Sequence, residues 1–313
     1  MSEIENEKIV DYLVVINKLG RRFTAENDTR WGGLIEPNPS ENTWKNSTGL
    51  KVALFASWDY GYLMLETLKE FENKYPNQLN LVGLVTDNSL NPNAKISLKK
   101  RVWSLLDKPS RVIDETIIIE SGLSHGISVY IGDVKTNSFH DILKKWNPDA
   151  ILVCVFGQVI DSFTINFPRY GIYNFHPSDL SNQQGAGPAP YEDLVQRNAQ
   201  TGIWSVHHVT ESIDKGIVVG KSPPVYVRDD NRELPVDPIV VYHKLAEVLS
   251  PLAFFFVKEL VRNFELNKPG RVNTIDFNSL IPDKIKNKIM QPLTQDLWTD
   301  IQSVPKDFLY KSG

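Results

Sequence analysis

Three polar side chains stand at the ends of two short apolar segments, and their types suit transfer of an acyl group. Asn174 and His176 are two residues apart at the end of the apolar run 172–175, so on a strand both side chains point the same way. Asp214 ends a later apolar run, just before the turn-prone Lys215-Gly216. Acyl transfer to an amine needs an amide that donates to an oxyanion, an imidazole that moves a proton and a carboxylate that orients it. The alternative is that Asn174 and His176 only finish a strand and hydrogen-bond a loop.

Four other residues with reactive side chains are better explained by structural roles. His207 and His208 are adjacent on a strand and therefore face opposite sides, and no further ligands complete a metal site around them. Ser178 lacks the Gly-x-Ser-x-Gly surroundings of a nucleophile, so we expect it to cap a loop. Cys154, the one cysteine, lies in the apolar run 150–156, which favours a buried and inert thiol.

The composition is that of an ordinary globular protein. The 313 residues are 41% hydrophobic and 23% charged, and the net charge of −4 gives no general basic field for nucleic acid or an anionic membrane. With a single cysteine there is no internal disulfide, which favours a reducing, cytoplasmic setting. We expect no signal peptide at the charged N-terminus and no membrane span, because no apolar run approaches about 20 residues.

Strand-like and helix-like segments alternate from residue 51 onwards. The apolar run 51–57, an amphipathic helix at 62–75 and a second strand at 81–86 form a strand–helix–strand unit. Further strands are predicted at 127–131, 150–156, 172–175, 203–209 and, as a hairpin, 217–227; further helices are predicted at 95–106, 113–121, 139–146, 189–197, 238–262 and 281–290. This alternation predicts an α/β fold: a Rossmann-like, doubly wound, mostly parallel sheet.

The ends of the chain differ from this central region. Residues 1–49 are predicted to be an N-terminal arm, with a helix at 4–19 and a loop at 27–49, that packs on the main domain or on a second subunit of a homodimer. Residues 50–266 form the predicted catalytic domain, and residues 267–313 a short C-terminal extension. Within the long helix at 238–262, Pro251 is expected to cause a kink or a break.

The first strand–helix turn, Ser57-Trp-Asp-Tyr-Gly61, contains a single glycine. It lacks the glycine pattern of dinucleotide sites and of nucleoside triphosphate sites, although a phosphate on this helix N-terminus stays open. Asp59 and Tyr60 are candidates to contact an acceptor substrate, with a helix N-cap as the alternative role for Asp59. Trp58 is a candidate to stack on a sugar or a base.

The two polar segments resemble the motifs of the folate-dependent formyltransferase family in their order and spacing. The first reads Asn174-x-His176-Pro-Ser178, and the second reads Val206-His-His-Val-Thr-Glu-Ser-Ile-Asp214-Lys-Gly216. That family includes glycinamide ribonucleotide, methionyl-tRNA and nucleotide-sugar formyltransferases and formyltetrahydrofolate deformylase. The resemblance covers residues 50–264, and it implies a Rossmann-like fold that transfers a formyl group from N10-formyltetrahydrofolate to an amine.

The resemblance also assigns site residues. Asn174, His176 and Asp214 become the catalytic trio. The folate pocket would be formed in part by the loop from Thr210 to Gly216 and by a segment after the strand at 150–156. The residues of that segment are Val155, Phe156, Gly157, Gln158 and Val159. Phe156 and Gln158 would contact the pterin, and the alternative for Phe156 is a place in the core.

The segment after His176 departs from the family pattern where the acceptor would bind. The family usually continues His-x-Ser-Leu-Leu-Pro, whereas this chain has Asp179-Leu-Ser181 after Ser178, with Gly185 further on. Ser178 and Gly185 are therefore candidate acceptor-binding residues. The first turn lacks the Gly/Ser-rich loop of glycinamide ribonucleotide enzymes. The tail after residue 268 is shorter than the C-terminal barrel of the tRNA enzymes, and the N-terminal arm is shorter than the regulatory domain of the deformylases.

By elimination, the closest architecture is that of the nucleotide-sugar N-formyltransferases. The sequence then predicts a cytoplasmic N-formyltransferase that acts on a small amine, an amino sugar carried on a nucleotide, and binds neither nucleic acid nor membrane. Three alternatives stay open. They are a formyltetrahydrofolate hydrolase, formylation of another small amine such as an amino acid or a ribonucleotide, and a binding protein without activity.

Overall fold

The computed structural model describes residues 22–25, 33–38, 48–86, 117–182, 184–186 and 190–293, and for 22–25 the backbone alone. The helices predicted at 4–19 and 95–106 lie outside these residues. The strands are β1 Arg22–Ala25, β2 Gly33–Glu36, β3 Leu50–Ala56, β4 Leu79–Thr86, β5 Val129–Ile131, β6 Ala150–Cys154, β7 Ile172–His176, β8 Thr201–Gly202, β9 Ser205–His208, β10 Val218–Lys221 and β11 Val225–Tyr226. The helices are α1 Trp58–Lys74, α2 Asn137–Trp146, α3 Ser162–Ile165, α4 Pro190–Gln196, α5 Pro238–Ala246, α6 Leu249–Glu265, α7 Phe277–Leu280 and α8 Asp283–Ile289, with a 3₁₀ turn at Leu180–Asn182 and helical residues at 117–124.

Nine of the described strands form one sheet in the order β1-β2-β5-β4-β3-β6-β7-β9-β10. The five central strands, from β5 to β7, run parallel, and the pairs outside them are antiparallel. The chain order reverses between β3 and β6, which makes this the point where doubly wound sheets bind ligands beyond the carboxyl ends of their strands. The predicted fold class is confirmed.

Both faces of the sheet are covered, so its central strands are mostly apolar. Every residue of β6 is buried, as expected for a parallel strand between two helical layers. On one face α1 packs against α6, where the ring centroids of Phe71 and Phe254 are 5.4 Å apart. On the other face Phe139 of α2 meets Phe55 of β3 edge-on at 5.8 Å.

The N-terminal region adds two strands, and the second of them, β2, lies where the sequence predicted a loop. β2 pairs antiparallel with β5 and buries Ile35 completely. The loop prediction was wrong at residues 33–36 because a four-residue run depends on its partner strand, which lies far away in the chain. This pairing shows that β2 of the arm packs on the main domain, which is one of the two predicted alternatives.

The long helix predicted at 238–262 is divided into α5 and α6, which bend by 41°. Asp237 caps α5 by accepting from the Ile239 amide at 2.8 Å. α6 starts two residues before Pro251, because proline lacks the amide hydrogen and sterically excludes a continuous preceding turn. The predicted break is therefore confirmed. Among the described residues no single helix has the length and apolarity to cross a membrane, and only the bent pair of α5 and α6 reaches that threshold together.

Residues after 268 pack along the β10 edge of the sheet. The Ile275 amide donates to the Val219 carbonyl at 2.7 Å, and the Val272 amide donates to the Tyr173 hydroxyl at 2.8 Å. Burial raises the pKa of Tyr173 to about 12, so it is a neutral hydrogen-bonding partner at any physiological pH. The division into an arm, a catalytic domain at 50–266 and an extension at 267–313 stays a prediction.

Candidate active site

The antiparallel register of β7 and β9 places polar side chains next to each other. Asn174 lies opposite His207, and His176 lies opposite Ser205. Asn174 and His176 point to the same side of β7, as the period of a strand predicts, since both reach Asp214. The site therefore stands at the carboxyl end of the last parallel strand.

The loop after β9 folds back tightly and returns Asp214 to the sheet. A Cβ atom at Gly216 would lie 1.5 Å from the His208 carbonyl oxygen, so only glycine fits at this close approach. Asp214 itself has a φ of 52°, a left-handed conformation that aspartate tolerates better than most residues. These two backbone features bring a residue of the loop back beside the strand it has just left.

Asp214 lies within reach of three polar side chains. Its Oδ1 atom is 3.4 Å from Asn174 Nδ2 and 3.4 Å from His207 Nε2, and its Oδ2 atom is 3.9 Å from His176 Nε2. The carboxylate side chain is 9% exposed, and the two imidazoles are 2% and 11% exposed. Little water surrounds these groups, so charges that develop here interact more strongly than on the surface.

The hydrogen bonds indicate the tautomer of His207 and the orientation of the Asn174 amide. His207 Nδ1 lies 3.2 Å from the His208 carbonyl, which can only accept, so this nitrogen carries the hydrogen. His207 Nε2 then accepts from Asn174 Nδ2 at 3.1 Å. The second hydrogen of this amide points to Asp214 at the longer distance of 3.4 Å, which leaves it the easier one to redirect.

His176 is held by the loop that follows it. Its Nε2 atom donates to the Gly185 carbonyl at 2.8 Å, and the Ser178 hydroxyl donates to the same oxygen at 3.0 Å. Gly185 has a φ of +60°, and a Cβ there would lie 2.4 Å from Ser178 Oγ, so glycine is required for two reasons. Ser178 caps this loop, as expected, and its donation places the Gly185 carbonyl against His176.

Of the two adjacent histidines, sequence reasoning favoured a structural role and missed that one lies in the site. His207 contacts both Asn174 and Asp214. His208 faces the other side, as predicted, where it meets the Tyr173 ring edge-on at 5.7 Å. Among the described residues no group of three histidine, cysteine, aspartate or glutamate side chains is arranged to hold a metal ion.

The two segments that the resemblance assigns to a folate pocket are neighbours. Ser162, just after the first segment, donates to Glu211 of the Asp214 loop at 2.6 Å. Phe156 and Val209 pack against the same apolar cluster. Exposed Ile213 on the loop adds apolar surface of the kind that a planar ring could cover.

Within the first of these segments, Gln158 does not have the predicted role. Its Oε1 atom accepts from the Val134 amide at 3.1 Å, and its Nε2 atom donates to the Gly132 carbonyl at 2.7 Å. The side chain is thus used to hold the turn after β5, and the prediction that it contacts a pterin is corrected. Val155 has a φ of 51°, which is unusual for a β-branched residue and turns the chain sharply at the end of β6.

The remaining predicted folate residues are Thr210, Gly157 and Val159. Thr210 is exposed, and its hydroxyl donates to the Ser212 carbonyl at 3.1 Å. Gly157 is buried and Val159 is half-buried beside it. Their contact with a folate stays a prediction.

The turn after β3 is closed by aromatic packing. Trp58 is 2% exposed and Tyr60 1% exposed, and their rings lie 4.8 Å apart. Neither residue offers a ring face or a hydroxyl to a substrate, so their prediction as acceptor contacts is corrected. Burial raises the pKa of Tyr60 well above its ordinary value, and its neutral hydroxyl donates to the Tyr242 carbonyl.

Asp59 is the one residue of this predicted set that keeps some exposure. Its side chain is 27% exposed and lies 3.4 Å from His243. The N-cap of α1 is Ser57, not Asp59, so the alternative capping role was wrong.

The fold is thus a doubly wound α/β sheet with an amide, imidazoles and a carboxylate at the end of its last parallel strand. Residues 129–236 match the family model described as formyl transferase. The matched stretch begins at β5 and includes both polar segments. The predicted resemblance to the formyltransferases is therefore confirmed.

Individual curated proteins that the chain resembles are also formyltransferases. The chain is 27% identical over 190 residues to a methionyl-tRNA formyltransferase of Ehrlichia ruminantium (strain Gardel), an alignment that covers 59% of this chain and 58% of that protein. It is 32% identical over 120 residues to a methionyl-tRNA formyltransferase of Agathobacter rectalis, covering 37% and 38% of the two chains. The chain thus spans little more than half the length of the first of these relatives, and less of the second.

The fold is also that of a solved formyltransferase structure. Phosphoribosylglycinamide formyltransferase from Anaplasma phagocytophilum superposes with a TM-score of 0.51 at 14% identity, over 69% of this chain and 88% of that one. At this identity the superposition shows a shared fold.

Proposed function

We propose that the protein transfers a formyl group from N10-formyltetrahydrofolate to a primary amine. The observation that supports this best is the convergence of Asn174, His176 and Asp214 within 3.4 to 3.9 Å at the carboxyl end of β7. An amide donor, a base and a carboxylate are the groups that this reaction requires.

Each side chain has a role that its contacts suit. The formyl-folate supplies an activated acyl group whose oxygen becomes an oxyanion when the amine attacks. Asn174 donates the hydrogen that now faces Asp214 to that oxygen, a contribution of about 3 to 4 kcal/mol for donors of this kind. The imidazole–carboxylate pair of His176 and Asp214 accepts the proton that the attacking amine loses, and returns one to the leaving nitrogen.

His207 acts as a positioning residue in this proposal. It accepts from the Asn174 amide at 3.1 Å, and its own orientation is fixed by the hydrogen bond from Nδ1 to the His208 carbonyl. It therefore determines which end of the amide faces the reaction. Replacement by glutamine would preserve part of this contact, whereas alanine would release the amide.

The folate is proposed to bind between the segment at 155–159 and the loop at 210–216. The neighbouring positions of these segments and the exposed Ile213 and half-exposed Phe156 fit the face of a planar ring. We propose an amino sugar, carried on a nucleotide, as the acceptor and the cytoplasm as the compartment. Tryptophan stacking on a nucleotide is no part of this proposal, since Trp58 is buried.

Transfer is tested by incubating the protein with 10-formyltetrahydrofolate with and without an amine panel. We expect N-formyl product only when an amine is present, and little free formate when it is absent. His176→Ala should form no N-formyl product. Formate release at an equal rate without amine would favour the hydrolase alternative. Binding of 5-formyltetrahydrofolate with neither product would leave a binding protein without activity.

A further inference from the structure

The loop that follows β7 and holds His176 contains a buried carboxylate that the proposed chemistry does not use. The Asp179 side chain is 8% exposed, and it stands where the formyltransferase pattern usually has leucine. Its Oδ1 atom accepts from Lys221 Nζ at 3.3 Å, and its Oδ2 atom accepts from Asn182 Nδ2 at 2.8 Å. A carboxylate removed from water is costly unless it is paired and hydrogen-bonded, so these two donors keep Asp179 in place.

The backbone of Asp179 holds a later part of the same loop. Its carbonyl accepts from the Asn182 amide and from the Gln184 amide, both at 3.1 Å. Gln184 is directly followed by Gly185, whose carbonyl accepts from His176 Nε2 at 2.8 Å. The contacts of Asp179 thus hold the chain that presents a carbonyl to the proposed catalytic imidazole.

A serine of β9 fixes the start of the loop. Ser205 is fully buried and lies opposite His176 in the register of β7 and β9. Its hydroxyl donates to the Ser178 carbonyl at 2.6 Å and accepts from the Leu180 amide at 3.1 Å. Lys221 of β10 pairs with Ser205 in the same sheet. The side chains that hold the loop from the sheet therefore come from two neighbouring strands.

Lys221 brings a positive charge to the loop from a strand. Asn182 belongs to the loop and moves with Asp179, whereas Lys221 is attached to β10. The lysine side chain is 37% exposed and can be hydrated when its partner is removed, but the carboxylate, at 8%, is largely shielded from water. Loss of Lys221 alone should therefore disturb the loop more than loss of Asp179 and Lys221 together.

We propose that Lys221 is a positioning residue for His176, which acts through Asp179 and the Gly185 carbonyl. The inference rests on the proposed function, because it names a residue that supports the imidazole of that reaction. Since a carbonyl can only accept, the Gly185 contact keeps the hydrogen of the neutral ring on Nε2 and the lone pair on Nδ1. Asp214 Oδ2 lies 3.9 Å from the same Nε2 atom, so a loop that releases the ring also changes its position relative to the carboxylate.

The test measures the His176 Nε2 proton by NMR and formyl transfer by single-turnover kinetics with the best amine of the panel. Protein that carries ¹⁵N-labelled histidine should show a slowly exchanging Nε2 proton, which is assigned by its loss in His176→Gln. Lys221→Met should speed the exchange of this proton by about tenfold or more, because the loop opens more often. The transfer rate at saturating substrates should fall by about tenfold.

Two variants control for the substitution itself. Lys221→Arg keeps the positive charge and should stay within about threefold of wild type in both measurements. Lys144→Met removes a lysine whose ion pair with Asp141 is exposed, at 56% and 66% for the two side chains. Exposed pairs contribute little, so Lys144→Met should match wild type.

The double variant Asp179→Leu/Lys221→Met removes both charges. It should regain most of the proton protection and transfer rate that Lys221→Met loses, because no buried charge is left unpaired. Ser205→Ala loosens the same loop from β9 and should also speed the exchange of the His176 proton. Urea unfolding and binding of 5-formyltetrahydrofolate show that each variant is folded.

The proposal is overturned if wild type shows no protected His176 proton, or if its exchange is unchanged in Lys221→Met and Ser205→Ala. A double variant no better than Lys221→Met also overturns it. The NMR measurement requires no turnover, so the two proposals fail separately. A protein that transfers no formyl group but loses the protected proton in Lys221→Met would refute the proposed function and keep the positioning role. Transfer with an unchanged proton in Lys221→Met would do the reverse.

Discussion

Two turns at the carboxyl edge of the same sheet, one after β3 and one after β7, use their residues in opposite ways. After β3, Trp58 and Tyr60 are buried in an aromatic cluster with Tyr242. At the end of β7, His176 meets a carbonyl and a carboxylate, and its side chain keeps 11% exposure. The fold places both turns where a ligand could bind, and the packing of each turn decides whether its side chains are available.

The difference arises from what covers each turn. Tyr242 and His243 of α5 lie against Trp58, so a helix closes the first turn. The second turn is covered by loops that depend on Gly185 and Gly216, two glycines at positions where a side chain would collide. Loops of this kind leave polar groups exposed to a substrate, whereas a packed helix does not.

Among the variants of these two turns, Asp214→Asn is expected to reduce formyl transfer most. It removes the negative charge that pairs with His176, so we expect kcat/KM for formyl transfer to fall about 1,000-fold. Unfolding in urea should change little, because an amide of the same shape keeps the contact with His207 or Asn174. Asp283→Asn, at a carboxylate that is 87% exposed, is the control and should stay within about twofold of wild type.

Gly216→Ala should reduce transfer about 100-fold without touching a proposed catalytic residue. The added Cβ would lie 1.5 Å from the His208 carbonyl, so the loop must move and carry Asp214 away. Steady-state kinetics measure the loss. Gly270→Ala is the control. Gly270 also has a positive φ, +101°, that strains an alanine, but no atom lies within 4 Å of the added Cβ. Equal activity of the two variants would contradict the role given to the close approach.

Trp58→Phe should change stability and leave the acceptor KM alone. The smaller ring leaves a gap beside Tyr60, so we expect the free energy of unfolding to fall by about 1 to 3 kcal/mol. Urea unfolding and the KM of the best acceptor are the two measurements. A KM that rises about tenfold with little loss of stability would show that Trp58 stacks on the acceptor after all.

His208 should make stability depend on pH, and this is the smallest of the effects. Burial, followed by Arg271 and His207, lowers the pKa of its imidazole. The unfolded chain then binds a proton at a higher pH than the folded chain does, so the free energy of unfolding falls as pH drops below about 6.5. Urea unfolding at pH 7.5 and 5.5 should show a smaller difference between the two pH values in His208→Gln. An unchanged difference would assign the pH dependence to other groups.

The sequence predicted those features that depend on local patterns. The period of β7 placed Asn174 and His176 on one side, and Pro251 predicted the break before α6. The proximity of His207 depends on the antiparallel register of β7 with β9, which no local pattern contains. Burial of Trp58 depends on Tyr242, far along the chain, and the use of Gln158 depends on the turn at 132–134. Local periodicity was thus enough for elements, and long-range packing decided which side chains were available.

A double-mutant cycle of His176→Ala and Asp214→Asn tests most directly whether residues from the two distant segments act as one catalytic unit. Single-turnover formyl transfer from 10-formyltetrahydrofolate is measured for wild type, both single variants and the double variant. If the imidazole and the carboxylate work together, the double variant should be no slower than the slower single variant. Losses that multiply in the double variant would show that the two groups act independently and would contradict the account.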